Sequence, residues 1–219
     1  MYKKHSILDS VLGQRLYLGL NWRNCITNSL ISNTEYDLRI WIQSIYKGTL
    51  LCNDRNAISP KEIDIYLPEL KIGIEFNGVW YHSEYFKDKS YHHDKWLIAQ
   101  NNGINLIQIY EDDWKHKKDI IKSRLLHIFG LNKQKIYARK CEIRKVQFKE
   151  IKEFLINNHL QGSVNSNINY ALYYNNELVS VMTFGKPRKS IGSNYEGYEL
   201  YRYCNKKKYA CYRICWKVI

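Results

Sequence analysis

The chain has 219 residues, of which 45% are hydrophobic and 14% aromatic. That is enough apolar material for one large domain, or a medium domain plus a smaller module, and it excludes a globally disordered chain. Lys and Arg number 34 against 21 Asp and Glu, a net charge of +13, which favours a polyanionic partner, either nucleic acid or an anionic membrane surface. No apolar run reaches the ~18 residues of a membrane span, and residues 1–20 lack the continuous apolar stretch of a signal peptide. None of the six cysteines forms a CxxC pair, so reduced thiols in a cytosol-like compartment are expected.

Residues 1–30 show no clean periodicity and receive no role. Asn33-Thr34-Glu35 starts a helix in which Leu38, Ile42 and Ile45 recur at helical spacing up to Lys47-Gly48. Asn53 to Asn56 reads as a loop. Glu62 to Leu67 and Lys71 to Asn77 alternate apolar and polar residues and form a predicted β-hairpin around Pro68-Glu69-Leu70, with Gly78 ending the second strand. A helix over Tyr91–Asn102 closes at Gly103, and Asn105–Tyr110 is a short strand. Asp112 or Asp113 caps a helix from Trp114 to Phe129, stopped by Gly130. These elements make a mixed α/β domain over residues 31–130.

Residues 131–149 read as a basic linker in contact with DNA. Residues 150–219 read as a smaller α+β unit. It has a helix over Gln147–His159, strands at Ile168–Tyr174 and Glu177–Phe184 joined through Asn175-Asn176, and a further strand at Glu199–Cys204.

Charge is unevenly spread. Residues 115–152 hold 13 Lys and Arg against three acids, whereas residues 54–88 hold seven acids and four Lys and Arg. Acids that bind metal beside a basic surface that holds phosphates suit a nuclease; ordinary charged faces on a basic protein are the bland alternative. In the hairpin, Glu62, Asp64 and Tyr66 share one face, as do Gly73, Glu75 and Asn77. A tight turn at Glu69-Leu70 sets Asp64 opposite Glu75. Two carboxylates facing each other across strands repel, and a divalent cation turns that repulsion into a site for Mg²⁺ (or Mn²⁺). A solvated polar face is the competing reading. His82 lies just past the second strand, while His92 and Lys95 share a helix face. Histidines there can move protons or bind phosphate. Trp80, Tyr81 and Trp96 are expected in the core, and Glu111-Asp112-Asp113 is explained by helix capping.

The string Glu62-Ile63-Asp64-Ile65-Tyr66-Leu67-Pro68, then Ile74-Glu75-Phe76-Asn77-Gly78-Val79-Trp80-Tyr81-His82-Ser83-Glu84, continues through Tyr91-His92 and Lys95. With Gly103 to Trp114 it resembles phage-encoded homing endonucleases related to the very-short-patch repair (Vsr) endonucleases, within the PD-(D/E)xK nuclease superfamily. The resemblance covers about residues 31–130. It implies a mixed sheet flanked by helices and an EDxHD site, in which Glu35, Asp64 and His82 match the first three motif positions. His92 matches the last by spacing, with Asp94 the alternative acid. The PD-(D/E)xK pattern places lysine where this chain has Asn77, so His82 or Lys95 is left to substitute.

From about Ile136 the chain resembles the C-terminal region of such phage proteins, through Tyr137-Ala138-Arg139-Lys140-Cys141, His159-Leu160-Gln161-Gly162, Leu178 to Arg188 and Tyr198-Glu199-Leu200-Tyr201-Arg202. That region implies an acetyltransferase-like fold. Its usual glycine-rich continuation is missing after Lys206, so a truncated or frame-shifted C-terminus, and an incomplete fold, are expected.

The expected protein is thus a homing-type, Mg²⁺-dependent DNA endonuclease, phage-encoded and working in the cytoplasm of a bacterial host. Glu35, Asp64, Glu75, His82 and His92 are the catalytic candidates, with Asp64 and Glu75 holding metal. Lys95, Lys115, Lys117, Lys118, Lys122, Arg139, Lys140, Arg144 and Lys145 are the candidates for gripping double-stranded DNA. No membrane contact is expected, and a homodimer is one route to cutting both strands. A mismatch- or structure-specific repair nickase on the same fold, and a catalytically inactive DNA-binding protein, are the alternatives.

Overall fold

The computed structural model describes residues 32–78, 90–132, 134–188, 196–207 and 209–212. The chain is α/β, and it divides into two compact units, Met1–Glu111 and Asp112–Ile219. No described helix is long and apolar enough to cross a membrane.

The first unit opens with α1 (Asn33–Ile45), whose start is fixed by Ser32: its hydroxyl accepts the Glu35 N–H at 3.1 Å. Strands β1 (Leu51–Asp54), β2 (Ile63–Leu67), β3 (Ile72–Asn77) and β4 (Asn105–Tyr110) form one sheet in the order β1-β2-β3-β4. The first three run antiparallel and β4 pairs parallel to β3, as a crossover through α2 (Ser90–Asn101) requires. β1 occupies part of the segment read as a loop. Asn53 sits there at φ 54°, a left-handed conformation that masks a strand in a sequence reading. The hairpin connection is a 3₁₀ turn over Pro68–Leu70, closed by Lys71 at φ 51°.

Hairpin register is as expected: Ile65 pairs with Ile74, Tyr66 with Gly73 and Leu67 with Ile72. All six residues of β3 are buried, so the solvated polar face does not exist there. β3 lies between two strands and is covered on both faces. On one side Ala99 of α2 packs with Ile58, Ile63, Ile104 and Leu106.

The expected helix over 114–129 is two helices, α3 (Glu111–His116) and α4 (Lys118–Ile128), broken at Lys117. Trp114 is fully buried. α4 belongs to the second unit, where Ser123 Oγ donates to the Lys207 carbonyl at 2.6 Å. The division therefore falls at Glu111 rather than near 130.

The segment read as a linker carries β5 (Gln134–Tyr137), a 3₁₀ turn (Ala138–Lys140) and β6 (Glu142–Lys145). β6, β7 (Ile168–Tyr174), β8 (Glu177–Gly185) and β9 (Glu199–Asn205) make an antiparallel sheet, and β5 pairs parallel with β10 (Tyr209–Tyr212). Helix α5 (Phe148–Asn158) buries Ile151 and Leu155 against Ala171, Val181 and Cys204. A second cluster packs Ile136, Ala138 and Cys141 against Leu172, Val179 and Met182. Segment 134–145 is therefore integral to the unit, because Ile136, Ala138 and Cys141 are core residues.

Asn175 and Asn176 turn the β7–β8 hairpin at φ 49° and 65°, the left-handed pair a two-residue turn needs. Asn175→Ala is expected to cost about 1 kcal/mol, since a Cβ without asparagine's local hydrogen bonding tolerates that region poorly. Asn175→Gly is expected to be neutral. Urea denaturation midpoints distinguish the two.

Candidate functional site

Asp64 lies on β2 and Glu75 on β3, one step past the last paired residues, Ile65 and Ile74. There the Asp64 carboxylate takes over from the ladder, accepting the Phe76 N–H at 2.7 Å. The two acids are neighbours, but the regular pairing stops before them. Glu75 is 6% exposed. Its Oε2 accepts from Lys95 Nζ, and its Oε1 is buried with no partner.

Lys95 comes from α2, one turn before Ala99, and is itself buried. It was expected among the DNA-gripping residues. A buried ammonium ion-paired with Glu75 is instead part of the carboxylate cluster. An ammonium thus stands beside the acids without occupying the position of Asn77, whose own amide donates to Gln108 Oε1 at 2.6 Å.

Glu35, in the first turn of α1, joins through Arg39 one turn later. Arg39 Nη2 donates to Glu35 Oε1 at 2.5 Å and to Asn53 Oδ1 at 2.6 Å. Arg39 is buried, and its Nε and Nη1 have no partner. The sequence reading missed it. The available signal was its i, i+4 spacing from Glu35 on a helix, a pattern too common to single out. Thr34 of the same turn donates to Glu111 Oε1 at 3.1 Å, so Glu111 does more than start a helix.

Burial is the main cause that raises the protonation of all three acids. Glu35 is lifted by burial and by the charges of Asp64 and Glu62, against the pull of Arg39. Asp64 is lifted by burial, although the Phe76 amide, Lys95 and Arg39 oppose it. Glu75 is pushed up to about 7, because the Asp64 charge adds to burial while Lys95 and the Asp64 amide pull down. Two adjacent carboxylates with an unpartnered buried oxygen fit a hard divalent cation, which takes one or two carboxylates and completes its shell with water and phosphate oxygens. Among the described residues, no group of three or more His, Cys, Asp or Glu stands at metal-holding separation.

The remaining candidates are dispersed. His82 lies outside the described residues, as do Trp80 and Tyr81. His92 is half-buried on α2 and meets the Tyr91 ring edge-on at 5.6 Å between centroids. Trp96 is 39% exposed rather than in the core, since the face of α2 that turns inward carries Lys95 and Ala99. In the second unit, Lys118 and Lys122 lie over the Trp114 ring, and Arg139 over Tyr137. Lys117 binds the Leu160 carbonyl at 2.6 Å. Arg144 makes a two-bond pair with Glu142 at 2.8 and 2.6 Å, which occupies the guanidinium edge best suited to phosphate. Lys115 is on α3, Lys140 on the 3₁₀ turn and Lys145 at the end of β6. No protein-family model, curated protein or solved structure matches the chain.

Glu75 has a folded-state pKa above its ordinary value of 4.5. Its protonated form is therefore the one that folding favours. The stability it contributes is full below that ordinary value and is lost as pH rises through about 7. Melting temperature in EDTA is expected to fall across that window. Asp64→Asn keeps an acceptor for the Phe76 N–H and removes the neighbouring charge, so it should flatten the fall. An unchanged slope in Asp64→Asn refutes the coupling.

Proposed function

We propose that the chain is a metal-dependent DNA endonuclease of the homing type, hydrolysing phosphodiester bonds at a specific site in duplex DNA. The observation that carries this reading is the cluster itself: Asp64 and Glu75 at the end of a hairpin, Lys95 bonded to Glu75, and one carboxylate oxygen buried without a partner. The mixed sheet, with acids on neighbouring strands and a helix lying over them, supports reading the first unit as a PD-(D/E)xK-like core of the Vsr branch. The resemblance over residues 31–130 supplies the substrate class. The net charge of +13 suits a polyanion.

On this reading Asp64 and Glu75 would hold Mg²⁺ or Mn²⁺. A bound divalent cation supplies charge neutralisation at the phosphate and a water of lowered pKa. Lys95 would do the work of the lysine missing at Asn77: it draws Glu75 toward its anionic form, against burial and the Asp64 charge, and would offer a hydrogen-bond donor to the phosphate. Glu35 orients the outer side of the site through Arg39. The rival within the same chemistry, a mismatch-specific nickase, predicts cutting of a mismatched duplex in preference to a perfect one.

Cleavage of a plasmid carrying DNA from the surrounding genome locus tests the proposal. Mg²⁺ or Mn²⁺ should support cutting and EDTA should abolish it. Asp64→Asn, Glu75→Gln and Lys95→Met should each lower the rate by about 10²-fold or more while duplex binding persists. Full activity in Asp64→Asn sinks the assigned site, and duplex binding without cutting under any metal marks the chain as a DNA-binding protein. Since Glu75 must ionise to bind metal, Mn²⁺ affinity should also rise between pH 6 and 8, through the value of about 7. Calorimetry in buffers of different ionisation enthalpy reads the released proton.

A further inference from the structure

The second unit holds a concentration of positive charge that the carboxylate site does not use. It lies where α5 ends. His159 follows that helix, half-buried, and its Nδ1 accepts the Gln161 N–H at 3.1 Å. Accepting there places the imidazole proton on Nε2, as a donor. Three cations act on His159: Arg202 from β9, Arg124 from α4 and Lys117 before α4. Burial above all, and then these three charges, hold the imidazole down at about 4, so it is a neutral donor at physiological pH.

The loop after α5 fixes two of those cations in place. Lys117 Nζ donates to the Leu160 carbonyl at 2.6 Å, and Arg202 Nε to the Gly162 carbonyl at 3.2 Å. Arg202 Nη1 also donates to the Tyr201 carbonyl at 2.8 Å. Asp113, which pairs with Lys117 at 3.3 Å, is the one acid bonded to any of these groups among the described residues.

Thr183 stands directly across from Arg202 in the β8–β9 register and across from Asn169 in β7–β8, so the three side chains share one face of the sheet. Thr183 is fully buried and its hydroxyl has no partner. A buried hydroxyl left unpaired costs about 1–3 kcal/mol. Capping of loop carbonyls accounts for Lys117 and for two of the Arg202 donors. It accounts for neither the exposed Arg124 guanidinium nor the His159 Nε2 donor.

We propose that His159, Arg202, Arg124 and Lys117 form a phosphate-binding site contained in the second unit, whose ligand is a phosphodiester of a nucleic-acid backbone. A neutral Nε2–H, a guanidinium pre-set by backbone carbonyls and two further cations match a singly charged, multi-acceptor anion. A free nucleotide presents the same chemistry and is the other source of the phosphate. The site is independent of metal and of cleavage.

The test uses the full chain in EDTA, with binding of a labelled duplex followed by anisotropy across a salt series. Arg124→Gln and Arg202→Gln should each weaken binding about five-fold or more and lower the slope of log K against log salt by about one. Lys152→Gln, an exposed lysine on α5 whose charge is not among those acting on His159, should change affinity less than about two-fold. Arg124 is exposed and serves as the variant that leaves melting temperature unchanged, in case Arg202→Gln loosens the loop. In parallel, the His159 imidazole resonance is followed during titration with inorganic phosphate, ATP and duplex. A saturable shift that disappears in Arg124→Gln supports the site. Tighter binding of duplex than of ATP assigns the ligand to a backbone, and the reverse assigns it to a nucleotide. No saturable shift with any of the three probes, or equal losses in all three variants, overturns the proposal.

Discussion

The ion pair between Lys95 and Glu75 is the constraint around which the first unit is organised. Both partners are buried, and removing either one from such a pair leaves an uncompensated charge, at a cost of about 3–5 kcal/mol. A pair of that kind demands that α2 lie against β3 in one rotational setting. That setting turns Ala99 onto Ile63 and Leu106 and leaves Trp96 on the surface. The same pair leaves Glu75 with one satisfied oxygen and one bare one. The interaction that positions the strand and helix is thus also the interaction that defines what the site lacks.

Charge around that pair does not balance. Glu35, Asp64 and Glu75 face Arg39 and Lys95, so full ionisation leaves one negative charge in a region shielded from water. Without a further cation the cluster settles by keeping a proton, and Glu75 is where burial and Asp64 together concentrate it. Arg39 adds the complementary oddity of two buried nitrogens, Nε and Nη1, whose N–H groups have no acceptor. The unmet acceptor on Glu75 and the unmet donors on Arg39 are the buried polar groups that the proposed site would satisfy on binding.

The hairpin was the most legible part of the chain. Its limits and register followed from alternation and from the turn at Pro68–Leu70, and strand β4 was read to the residue. The burial of β3 was not legible, because Gly73, Glu75 and Asn77 look like a solvent face until a helix is seen to cover them. β1 was hidden by Asn53 in a left-handed conformation, and the break at Lys117 by an unbroken helical composition on either side. Lys95 was legible as a helix residue near His92 and as a substitute for the lysine missing at Asn77, but its burial was not, because sequence spacing does not say which helix face turns inward. Arg39 and the groups around His159 come from segments far apart in sequence. Within each unit such groups meet their partners through tertiary packing, which periodicity does not encode.

The start of α1 has a dynamic meaning. Glu35 occupies the first turn, where helices fray and amides exchange earliest. Two ties oppose that opening: Ser32 holds the Glu35 amide, and Thr34 reaches Glu111 at the far end of β4. Glu35 therefore belongs to the carboxylate cluster only while one short helical turn stays wound. The acid's place in the cluster becomes an opening-and-closing equilibrium, set by the hydroxyl groups of Ser32 and Thr34.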